Sequence, residues 1–140
     1  TLLLAGSWRE TGDNGVNTVV DIQQAIDSHA LWMSSLRQAI LDAQTPIDVA
    51  GIRAEDQCEF GKWLYGPRLS DEDRASSSYQ EVKRLHAEFH EAAARVVELA
   101  VSGQTCDAYD LLYGDYITMS GRLAIAMRAW QDTLQGAAGQ

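Results

Sequence analysis

The sequence predicts an all-α, four-helix-type bundle, built from three long helices and a segment of short helices between the first two. Two observations carry that prediction. Apolar residues recur at alternating steps of three and four in three separate stretches, the spacing of one buried helix face. No stretch of useful length alternates apolar and polar residues as a half-buried strand would, and no repeat of 20 to 50 residues is present.

The first stretch runs through Val19, Ile22, Ile26, His29, Met33, Leu36 and Ile40, with Thr18 and Asp21 resembling a helix start. Thr45 and Pro46 are expected to close it, because proline restricts its predecessor and cannot extend the hydrogen-bond ladder. Residues 47–66 are punctuated by Gly51, Gly61 and Gly66 and have room only for short helices. Ser70 followed by Asp73 has the spacing of a capping box, after which Tyr79, Val82, His86, Phe89, Ala93, Val96 and Ala100 repeat the helical stepping. Gly103 marks a turn. Tyr109, Leu112, Tyr116, Met119, Leu123, Ala126, Trp130 and Leu134 define the last long helix. Short connections require neighbouring helices to pack nearly antiparallel.

A chain of 140 residues is one domain long. The expected division is a linker or appended remnant over 1–17, the bundle over 18–135 and a flexible tail over 136–140. Hydrophobic residues make up 46% and charged residues 22%, an ordinary globular balance that argues against a disordered chain or a membrane protein. The apolar run from Leu2 to Ala5 is too short for a bilayer span or a signal peptide, so the chain reads as soluble. A net charge of -9 repels phosphate backbones and anionic lipid, which removes nucleic acid and membrane insertion from the expected partners. Two cysteines are no secreted-type disulfide framework, and a thiol kept free for metal suits a reducing, cytoplasmic compartment.

The chemistry lies in three histidines and one cysteine. His29 and His86 occupy seam positions that their neighbours fill with apolar residues, so both should point inward. His86 and His90 stand four apart, one turn above each other on the same helix face. If the first two long helices are antiparallel, the three rings meet at mid-bundle, and Cys58 in the intervening segment is within reach. One thiolate and three imidazoles suit a tetrahedral zinc ion. Four protein ligands leave no coordination position for substrate water, which argues against an enzyme. Trp32, Phe60 and Trp63 are read as an apolar wall. The plainer alternatives are core histidines bonded to backbone, an inert buried Cys106, and a Cys58 to Cys106 disulfide.

Three boxes then resemble a known family. His29-Ala-Leu-Trp32, Cys58-Glu-Phe-Gly-Lys-Trp63 and His86-Ala-Glu-Phe-His90 match the pattern of the chemoreceptor zinc-binding domain, found in bacterial chemoreceptors and diguanylate cyclases. The likeness extends over roughly residues 19–130. It implies that His29, Cys58, His86 and His90 bind one zinc ion, that Gly61 and Trp63 shape the cysteine turn, and that the fold is a helical bundle, in some relatives a homodimer. It also implies a regulatory role in which zinc occupancy or cysteine oxidation modulates chemotaxis signalling or cyclic di-GMP synthesis. The sequence contains no Gly-Gly-Asp/Glu-Glu-Phe cyclase signature and no long heptad hairpin, so the output domain is expected to be attached or docked. The alternative function is a constitutive structural zinc site in a helical interaction module.

Overall fold

A computed structural model describes residues 14–42, 49–54, 56 and 58–138. Among these residues every regular element is helical: α1 (Asn14–Ala30), α2 (Trp32–Leu41), α3 (Val49–Arg53), α4 (Glu59–Leu64), α5 (Asp71–Ala75), α6 (Ser77–Val101), α7 (Thr105–Leu111), a π-helical turn (Leu112–Tyr116) and α8 (Ile117–Ala138). Three rods form the bundle: α1 with α2, α6, and α7 continued through the π-turn into α8. Both α1 and α6 pack along α8, while α2 and the short α3 lie on α6. No described helix is long and apolar enough to cross a membrane.

The anticipated seams form the core. On α6, Tyr79, Val82, His86, Phe89, Ala93, Val96 and Ala100 are all buried; Ile22, Ile26, Leu36 and Ile40 meet them from the first rod, and Leu112, Tyr116, Leu123 and Trp130 from the last.

Each expected long helix is nevertheless subdivided, for a local reason. The first breaks at Leu31, whose N–H bonds the carbonyl three residues back, at Ser28, rather than four. Just before the break the His29 side chain donates from Nδ1 to the Ala25 carbonyl at 2.8 Å, and a side chain inserted into the ladder is a common cause of a kink. The helix begins at Asn14, so Thr18 and Asp21 lie inside it, and the expected linker over 1–17 contributes its last four residues to α1. The expected stop at Thr45 and Pro46 lies outside the described residues, as do 1–13; α2 ends at Leu41.

Ser70 and Asp73 form the full capping box, but the helix that they start ends at Ala75. Ser76 is extended, and its hydroxyl accepts from the Tyr79 N–H at 3.1 Å, which starts α6 one residue later. Gly103 closes α6 at φ +83. Its N–H bonds the Ala100 carbonyl at 3.1 Å and that of Gln104 reaches Leu99 at 2.9 Å, the paired bonds of a Schellman stop. In the last rod the π-turn absorbs one extra residue. Ala108, Leu112 and Tyr116, each four apart, thereby all stay buried before Leu123, Met127 and Trp130 take over. The backbone of α8 continues through Ala138, into the stretch expected as tail.

Candidate metal centre

His29 arrives near the end of α1, His86 and His90 from the middle of α6, and Cys58 as the residue that caps α4. All three histidines are at most 5% exposed, and Cys58 is 9% exposed. One ligand atom from each of the four lies within 4.8 Å of every other. The His86 and His90 ring centroids are 4.5 Å apart, and His29 is 5.2 Å from His86 and 6.1 Å from His90. Cys58 Sγ is 3.4 Å from His86 Nε2 and accepts the Gly61 N–H at 3.2 Å. Gly61 thus serves the cysteine turn through its backbone.

The hydrogen bonds behind the rings select which nitrogen faces inward. A carbonyl can only accept, so Nδ1 must carry the proton where His29 meets Ala25 and where His90 meets Ile52, each at 2.8 Å. In a neutral imidazole that leaves the lone pair on Nε2, the usual arrangement behind a metal-bound histidine. His29 Nε2 is buried and has no hydrogen-bond partner. Such an orphan costs about 1–3 kcal/mol in a protein interior. Desolvation is the main reason that His29 and His86 resist protonation well below the ordinary histidine value of 6.5; neighbouring histidines, His86 and His90 for His29 and His90 for His86, push the same way.

The donor set fits a metal. With zinc bonds of about 2.0–2.1 Å to nitrogen and 2.3 Å to sulfur, a tetrahedral nitrogen–sulfur edge is about 3.6 Å. The Cys58 to His86 separation of 3.4 Å is close to that edge, and an ion would have to draw even the widest pair inward by no more than about 1.5 Å.

Aromatic rings enclose the cluster, though not quite the expected ones. Phe60 is 5.1 Å from His86 and 5.7 Å from His29, and Trp32 is 5.2 Å from His90. Phe89, read from sequence as a seam residue only, lies 5.1 Å from His29 and 5.6 Å from His90, and backs onto Tyr116 at 5.3 Å. Trp63 stands one layer out, stacked on Phe60 at 5.4 Å, with its indole N–H donating to Asp21 at 3.0 Å. Burial pushes the Tyr116 hydroxyl pKa up. Asp21, expected at a helix start, is instead an interior carboxylate, a role that the spacing of Thr18 and Asp21 concealed. Cys106 is exposed, not buried as expected, and neither cysteine is in a disulfide, so the disulfide alternative falls.

Fold and site together define a helical-bundle protein with a buried donor set of one sulfur and three nitrogens. Residues 29–97, which include all four clustered donors, match the model of the chemoreceptor zinc-binding domain family; the cofactor is zinc. No curated protein and no solved structure matches the chain.

Proposed function

We propose that this chain is a regulatory zinc module in which His29, Cys58, His86 and His90 hold a single ion. The observation that carries the reading is the convergence of donors from three separate chain segments upon the bare, unpartnered Nε2 of His29. Bound zinc would supply a cross-link between the first rod, α4 and α6, and would compensate the buried orphan. Because it ties segments distant in sequence, its gain or loss biases how the rods pack, which is how occupancy reaches an attached or docked signalling output. The resemblance supports chemotaxis or cyclic di-GMP synthesis as that output, oxidation of Cys58 as a second input, and a homodimer as the working assembly. The chain carries out no catalysis in this reading, since four protein donors leave no position for substrate. Two cysteines kept out of a disulfide support a cytoplasmic setting.

Titration of the protein with zinc against a competing chelator, followed by tryptophan fluorescence and by helical circular dichroism, tests the reading. Reversible binding with helicity retained in the stripped state supports a sensor. Stripping that unfolds the chain instead supports the constitutive structural site.

A further inference from the structure

Asp21 lies on α1 eight residues before His29, about 12 Å along the helix. It is 2% exposed, and a carboxylate is retained in an interior only where it is paired. Its Oδ2 accepts the Trp63 indole N–H at 3.0 Å and lies 3.4 Å from the Arg68 guanidinium. Asp21 is not among the clustered donors, so its burial calls for another explanation.

That explanation lies in α4. A helix of six residues cannot hold its own place or shape, yet it carries Cys58 as its cap at one end and Trp63 at the other. Where the sulfur sits therefore depends on what grips α4. Tyr79 on α6, seven residues before His86, donates its hydroxyl to the Leu64 carbonyl at 2.9 Å. Asp21 on α1 takes the Trp63 N–H, and the Trp63 ring stacks on Phe60, which in turn meets both His29 and His86. The cysteine helix is thus registered against the two helices that supply the histidines, once by Tyr79 and once by Asp21.

We propose that Asp21, acting through Trp63 and held by Arg68, is a positioning residue that sets the Cys58 sulfur against His29. The proposal rests on the four-ligand reading above. Removing the carboxylate frees α4 on the α1 side, so the sulfur should be lost from the coordination set before the histidines are.

The full chain loaded with cobalt(II) in place of zinc reads this directly, because sulfur-to-cobalt charge transfer reports Cys58 alone while the ligand-field bands report the whole tetrahedral set. In Asp21→Ala the charge-transfer band should lose most of its intensity relative to the ligand-field bands, and zinc affinity should fall about tenfold, the lower end for a lost hydrogen bond to a charged group. Asp21→Asn keeps an acceptor for the indole and should recover the band, with affinity within about threefold of the wild type, a loss smaller than that of one ordinary hydrogen bond. Trp63→Phe keeps the ring and removes the N–H; it should behave like Asp21→Ala and decides the matter if that variant does not fold. General loosening of the bundle would lower thermal stability while leaving the ratio of the two band types unchanged. Unchanged ratio and affinity in Asp21→Ala and Trp63→Phe overturn the proposal and leave the ligand set standing. Cobalt binding to the wild type without a sulfur band overturns the ligand assignment and this proposal with it.

Discussion

Replacing His29 by leucine should make the metal-free protein more stable while abolishing its response to zinc. The side chains have similar volume, and Trp32, Phe60 and Phe89 give the ring apolar, aromatic neighbours beside His86 and His90. His29→Leu removes a buried nitrogen that has no partner, a defect of about 1–3 kcal/mol, and gives up the Nδ1 bond to Ala25, a net contribution of about 0.5–1.5 kcal/mol. The balance is a gain of about 1 kcal/mol. With a urea dependence of about 1–3 kcal/mol per molar for a small protein, the unfolding midpoint at pH 7.5 with chelator present should rise by roughly 0.3–1 M. Zinc should invert the order. At a free concentration one hundred times its dissociation constant, it stabilises the wild type by about 2.7 kcal/mol and the variant not at all. Lower stability of metal-free His29→Leu, or a midpoint that still rises with zinc, would refute the reasoning, because His29 would then be a satisfied core residue.

Acid should destabilise the metal-free protein. His29 and His86 are held neutral well below 6.5 by burial, so below that pH the unfolded chain takes up protons that the folded one refuses. Stability is therefore fully present above about pH 7.5 and falls as pH drops through 6.5, by up to about 1.4 kcal/mol per unit for each histidine; equal urea midpoints at pH 7.5 and 5.5 would contradict this. Gly103→Ala should cost about 1 kcal/mol by thermal unfolding. The added methyl meets nothing within 4 Å, and the whole penalty comes from the left-handed φ of +83. Trp130→Ala, which empties a fully buried site against Trp63 and Tyr79, should cost about 3–5 kcal/mol, and an urea midpoint within error of the wild type would show that the contact is absent.

Much of this architecture was legible because stepping by three and four is a strong signal in long helices. His29 and His86 stood out as polar residues in apolar seams, and the structure buries both. The subdivisions were not legible, since each depends on competition between side chain and backbone. His29 bonds its own helix at Ala25, Ser76 caps rather than continues, and one extra residue is absorbed between Leu112 and Tyr116. Such choices leave the apolar period intact on either side. Asp21 was invisible for a different reason. Its partners, Trp63 and Arg68, lie more than 40 residues away, and a carboxylate three residues after a threonine fits a helix start equally well. Phe89 hid similarly, because a ring facing a metal site and a ring filling a core occupy the same seam position.

Elemental analysis of the purified full chain, beside His29→Ala, Cys58→Ala, His86→Ala and His90→Ala forms that retain their helicity, tests the central claim most directly. The account predicts about one zinc per wild-type chain after reloading and a loss of metal in each variant, as a closed four-ligand site requires. A folded wild type that takes up no zinc, or variants that all keep a full complement, would contradict it.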